Sequence, residues 1–168
     1  MKRIDDWHAK NAMQTAIIDG KELLTYKQLE ERVQERAKIL AGIPQKVILA
    51  PMSNALDQLI NFLALIRADK VAVPVNAGLS DLGLQDILNQ FEDPLVLTDI
   101  HTIFQKAAVP YNSDEYASPN DLAFIGFTSG TAGQPKGYRR THQSWVKSFE
   151  GTNALIRQSG NQSATVFG

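Results

Sequence analysis

Residues 122–137, L-A-F-I-G-F-T-S-G-T-A-G-Q-P-K-G, constrain this chain more than any other stretch. Leu122 to Phe127 is apolar and aromatic, the composition of a buried strand. The strand cannot continue, because Gly130, Gly133 and Pro135 break pairing and favour a loop. Each residue type in that loop suits a polyphosphate. Glycines let backbone N–H groups close around an anion. Thr128, Ser129 and Thr131 add hydroxyl donors, and Lys136 adds a compact, mobile cation. A solvated surface turn is the simpler alternative, and glycines alone would leave it ahead. Glycines, hydroxyls and a lysine in one run after a strand favour phosphate binding. The spacing is not that of the common P-loop, since Gly130 and Gly133 are three apart and Gly137 follows Lys136. Nor is it a nucleophile elbow on Ser129, because Phe127 stands where that motif needs glycine.

Length and composition bound the rest. A chain of 168 residues is one ordinary domain or a piece of a larger one. A net charge of −1 gives no field that would favour nucleic acid or an anionic membrane. The absence of cysteine excludes disulfides, thiolate catalysis and cysteine-bound metal. The start, M-K-R-I-D-D-W, lacks the apolar core of a signal peptide, and no apolar run reaches transmembrane length. A soluble cytoplasmic protein is expected. His8, His101 and His142 show no ligand spacing, so no metal site is expected. Asp5-Asp6 and Glu30-Glu31 read as solvated charges, and Arg139-Arg140 as a solvated pair at a helix entrance. Trp7 and Trp145 fit packing better than base stacking.

Taken in order, Thr15 to Tyr26 predicts a hairpin turning at Asp19-Gly20. Thr25 and Gln28 form a capping-box pattern for a helix whose apolar stripe is Leu29, Val33, Ala37 and Leu40, ended by Gly42 and Pro44. Lys46 to Met52 reads as a strand buried on both faces. Ser53 or Asn54 then caps a helix with Leu56, Leu59, Ile60, Leu63 and Ile66 along one side, and Val71 to Val75 is the next strand. That strand–helix–strand unit predicts a parallel pair. Ser80 caps a further helix presenting Leu84, Ile87, Leu88 and Phe91; Pro94 ends it, and Leu95 to Thr98 is a short strand. Residues 100–107 are ambiguous, and 112–120 read as a polar loop. Thr141 caps a last helix, with Trp145, Phe149 and Ile156 as its buried face. The expected fold is α/β: a mainly parallel sheet with helices on both faces and an N-terminal antiparallel hairpin.

Phe127 to Gly137 resembles the phosphate-loop signature of the adenylate-forming enzymes, Y/F-T-S-G-T-T-G-x-P-K-G, with Ala132 the one departure. This superfamily holds acyl-CoA synthetases, luciferase-like enzymes and nonribosomal-peptide adenylation domains. Two weaker stretches resemble its earlier motifs. L-T-Y-K-Q-L at 24–29 is similar to L-T/S-Y-x-E-L, and I-R-A-D-K-V-A-V-P-V at 66–75 to L-K-A-G-x-A-Y-V-P. Asp69 stands where glycine is usual, which questions the tight turn there. The resemblance implies that a carboxylic acid attacks the α-phosphorus of Mg-ATP, giving an acyl-adenylate and pyrophosphate. A thiol, usually coenzyme A, then takes the acyl group. It assigns Thr128, Ser129, Gly130, Thr131, Gly133 and Lys136 to the triphosphate, with Ala132 removing one hydroxyl. ATP, Mg2+ and coenzyme A are the implied cofactors, and a small carboxylic acid the implied substrate.

The family's later segments for adenine, ribose, metal and acyl group, and its small C-terminal domain with a catalytic lysine, have no counterpart before Gly168. The expectation is a single partial domain over 1–168, the N-terminal part of an acid–thiol ligase. No catalytic residue is assigned to it, and it is expected to be inactive alone and to self-associate. The alternative is a non-catalytic module that assembles with itself or binds phosphate weakly.

Overall fold

A computed structural model of the protein describes residues 12–20, 22–52, 54–76, 78–98, 117–128 and 135–158. The first elements are a hairpin, β1 (Thr15–Asp19) and β2 (Glu22–Thr25), paired antiparallel as a separate two-stranded sheet. Gly20 takes a left-handed φ of 57° at the turn, where a side chain would be strained. Helix α1 (Tyr26–Ala41) begins on the expected capping box, with Thr25 and Gln28 satisfying each other's backbone N–H groups. Its stripe of Leu29, Val33, Ala37 and Leu40 is buried as the spacing requires.

The main sheet follows. Strand β3 (Val47–Met52) leads into α2 (Ala55–Arg67), capped by the Asn54 side chain, and on to β4 (Val71–Asn76). Helix α3 (Asp81–Leu88), capped by Ser80, precedes the two-residue strand β5 (Leu95–Val96). Strands β6 (Leu122–Thr128) and β7 (Lys136–Thr141) and helix α4 (His142–Gln158) complete the described chain. The order is β5-β3-β4-β6-β7; the first four run parallel and β7 returns antiparallel to β6.

Alternate residues of the apolar strands feed two cores, which is why these strands read as unbroken apolar runs. On one face Ile48, Ala50, Ala72 and Phe124 meet α1, α2 and Trp145 of α4. On the other Leu49, Val71, Val73, Val75 and Ile125 meet Ile87, Leu84 and Leu88 of α3. The expected mainly parallel sheet with helices on both faces is therefore present.

Several local expectations change. Glu30 is not a solvated charge: it is buried between α1 and α2 against Arg67, at 2.7 Å. Leu59 is at the exposed margin of α2, whereas Ala64 and Leu65 are buried with the predicted stripe. Phe91 lies beyond the end of α3 and still packs into the second core. The turn before β4 forms without glycine. Asp69 adopts a φ of 54°, which its short polar side chain tolerates, and Lys46 donates to both its carbonyl and its carboxylate. Phe149 is exposed rather than buried, although its ring meets Trp145 edge-on at 5.2 Å. Trp7, residues 100–107, residues 112–116 and the Ile156 side chain lie outside what the structure describes.

Candidate phosphate-binding loop

Strand β6 lies between β4 and β7 and is held in the sheet by its apolar side chains. Ala123 and Ile125 are buried, and Phe124 packs edge-on against Phe62 and Trp145, at 5.4 and 6.0 Å. Because β6 runs parallel to β4, with Phe124 level with Ala72, Thr128 emerges at the carboxyl end of the parallel strands. That edge is where ligands bind in open α/β sheets.

The chain then turns and comes back as β7, an element that the glycines, proline and basic residues did not announce. Arg139 and Arg140 therefore sit on a strand, opposite Ile125 and Phe124, that runs directly into the helix starting at His142. The return matters for the site because it brings Lys136 directly opposite Thr128. The two exposed residues flank the loop and share one face of the hairpin. The Thr128 hydroxyl makes only a long contact, 3.4 Å, to the Lys136 carbonyl. Such a bond is weak and readily exchanged for a better acceptor. Of the residues that the sequence assigns to a polyphosphate, Thr128 and Lys136 are thus brought together. Ser129, Gly130, Thr131 and Gly133 lie outside the described residues.

The N-terminus of α4 does not serve this loop. It follows the far end of β7, where five residue steps of about 3.4 Å each place Thr141 about 17 Å from Lys136. Its first N–H groups are also engaged locally. Those of His142 and Gln143 donate to the carbonyls of Asp121 and Pro119, and that of Ser144 to the Thr141 hydroxyl. The His142 ring belongs to this opposite end; among the described residues its buried Nε2 has no hydrogen-bond partner. Burial holds its pKa below the ordinary histidine value. Beside the loop, Asp86, Asn89 and Gln90 of the α3 end line a hollow of about 350 Å3 with Pro135. Nothing in the sequence spacing pointed to that neighbourhood. Among the described residues no group of three or more His, Cys, Asp or Glu side chains could hold a metal ion, and no helix is long and apolar enough to cross a membrane.

Comparison with known proteins gives this geometry a family. Residues 4–166 match the family model described as "AMP-binding enzyme". Gramicidin S synthase 2 of Brevibacillus brevis is 28% identical over 152 residues, covering 78% of this chain and 3% of that protein. A hybrid polyketide synthase–nonribosomal peptide synthetase of Aspergillus japonicus is 27% identical over 175 residues, covering 92% of this chain and 4% of the relative. Among solved structures, the o-succinylbenzoate CoA synthetase of Bacillus subtilis, in complex with an acyl-adenylate, superposes with a TM-score of 0.75 at 19% identity. That match covers 91% of this chain and 45% of the synthetase, and it carries the fold alone. The NpsA N-terminal subdomain of Klebsiella oxytoca, in complex with anthranilyl-AMSN, gives a TM-score of 0.67 at 25% identity, over 84% of this chain and 41% of that one. The chain thus spans a few per cent of these curated relatives and less than half of these solved structures.

Proposed function

This chain belongs to the AMP-binding enzyme family, and from that membership we propose that it is the N-terminal part of an ATP-dependent acid–thiol ligase, supplying the triphosphate-binding loop. The observation that carries the proposal is the juxtaposition of Thr128 and Lys136 at the mouth of the β6–β7 hairpin, on the carboxyl edge of a parallel sheet. The remaining hydroxyls and glycines of the motif stand in the sequence between them.

In the proposed reaction a carboxylate oxygen attacks the α-phosphorus of ATP. The bond to the bridging oxygen breaks, pyrophosphate leaves, and an acyl-adenylate remains. The loop's task follows from charge. Thr128, Ser129 and Thr131 donate hydroxyls, Gly130 and Gly133 permit backbone N–H donors to approach, and Lys136 places a full positive charge. Together they hold the β- and γ-phosphates in line and stabilise the charge that develops on the leaving group. Mg2+ takes few protein ligands and several phosphate oxygens and waters. A loop of hydroxyls and a lysine fits an ion that arrives with the nucleotide.

The acyl-adenylate then passes its acyl group to a thiol, which we take to be coenzyme A. The peptide-synthetase names of the curated relatives favour a second reading, in which a carrier-bound thiol accepts it. Dependence on ATP is in keeping with a cytoplasmic location. In this reading the domain is partial, and groups for the acid and adenine come from outside residues 1–168.

Pyrophosphate exchange tests the proposal. The 168-residue chain alone should give no useful ATP–pyrophosphate exchange with a panel of fatty and aryl acids. A relative whose own β6–loop–β7 segment is replaced by residues 122–141 of this chain should retain exchange. Loss of exchange in that graft, with the fold intact, would remove the loop from triphosphate binding.

A further inference from the structure

Strand β7, K-G-Y-R-R-T, has no alternation of apolar and polar residues to choose its register on β6. Among the described residues it is the last strand of the sheet, and it is joined to β6 by seven residues, too many for a tight turn to dictate the pairing. Yet register decides the site. A slip by one residue would move Lys136 to the opposite face from Thr128.

Two glycine–aromatic pairs, one on each face, supply the missing determinant. Gly126 stands opposite Tyr138 and Phe127 opposite Gly137. A Cβ on Gly126 would overlap the Tyr138 ring, so the ring occupies the place of the absent side chain. A Cβ on Gly137 would come within 3.2 Å of the Phe127 ring on the other face. Both rings are tied to the fold: Tyr138 meets Phe124 edge-on at 6.3 Å, and Phe127 meets Phe91 at 6.4 Å. An aromatic ring laid across a facing glycine is a known device for pinning strand pairing.

We propose that Tyr138, seated over Gly126, is a positioning residue that locks β7 in the register presenting Lys136 beside Thr128. This rests on the polyphosphate reading of the loop. Tyr138 acts through Lys136 and not by touching phosphate itself. The ring is half exposed and can swing away, so a side chain at 126 displaces it without forcing the strands apart.

The test compares Gly126→Val, Tyr138→Val and the double variant with the wild-type chain. Mg-ATP affinity is followed by titration, and β7 by amide hydrogen exchange. Each single variant should weaken Mg-ATP binding by about fivefold, the scale of one cross-strand pair, and speed exchange at 138 and 140 by a similar factor. The melting temperature should stay within a few degrees. The double variant fills the slot from β6 instead, as a valine pair, and should recover both properties to within about twofold. Single variants with unchanged β7 protection, or a double variant as impaired as the singles, would overturn the proposal. Absence of Mg-ATP binding by wild type would instead refute the loop's function. Exchange at β7 would then still judge the lock.

Discussion

The ion pair between Glu30 and Arg67 joins α1 to α2 from a buried position, and its removal should be the most damaging polar substitution outside the loop. Both side chains are under a tenth exposed, and the Arg67 Nη1 to Glu30 Oε1 distance is 2.7 Å. Gln34 donates a second bond to the same carboxylate oxygen, at 2.6 Å. In Glu30→Ala the Arg67 guanidinium loses this carboxylate while remaining out of water. Breaking a buried pair from one side costs about 3–5 kcal/mol. At roughly 2–4 °C per kcal/mol for a chain of this size, the melting temperature should fall by about 6–20 °C. An exposed pair behaves differently. Arg36 binds Asp57, whose side chain is 56% accessible, and Asp57→Asn should cost no more than about 1 kcal/mol. Replacing both buried partners, as Glu30→Leu with Arg67→Met, removes the desolvation along with the attraction and should restore most of the loss. Urea unfolding followed by circular dichroism, with linear extrapolation, measures each variant. A Glu30→Ala chain within about 1 kcal/mol of wild type would show that water reaches the pair and that the burial argument is wrong.

Three further outcomes follow from other parts of the fold. Thr25→Ala removes one half of the capping box and should destabilise the chain by about 1 kcal/mol in the same urea assay; an unchanged midpoint would show that α1 is held by packing alone. His142 is held neutral mainly by burial, so its folded pKa lies below the unfolded value of 6.5. The unfolded chain then binds more protons in that window, and the stability His142 contributes is complete above about pH 6.5 and lost on acidification through the folded pKa. His142→Gln should flatten the fall of melting temperature below pH 6.5, and an identical slope in both proteins would contradict this. Among the described residues β7 is an edge strand, and its edge, together with the exposed rings of Tyr138 and Phe149, should promote self-association. Sedimentation equilibrium should find dimers or larger species, and a clean monomer at high concentration would count against that expectation.

What could be read from the sequence was whatever local chemistry decides. The Thr25 and Gln28 box, the Asn54 and Ser80 caps, and the Asp19-Gly20 turn are settled within a few residues, and each appears as expected. The apolar runs of β3, β4 and β6 announced strands covered on both faces. Strand β7 was hidden because an edge strand with a polar, glycine-containing sequence is made by its partner's backbone, not by its own pattern. The same holds for Glu30, whose burial is decided by Arg67 on another helix, 37 positions away. At the site, residue types suggested a phosphate loop, but only the β6–β7 pairing shows that Thr128 and Lys136 face each other across it.

We propose that this hairpin holds the β- and γ-phosphates of a nucleotide through Lys136 and its neighbouring hydroxyls. Titration of Mg-ATP and of AMP into the wild-type chain and into Lys136→Ala, followed by phosphorus NMR, decides the matter. A hydrogen bond to a charged group contributes about 1.5–3 kcal/mol, so Lys136→Ala should weaken Mg-ATP binding roughly ten- to hundredfold with the fold unchanged. AMP, lacking both phosphates, should bind the two proteins alike. Equal Mg-ATP affinity in wild type and Lys136→Ala at matched stability would remove Lys136 from the phosphate site.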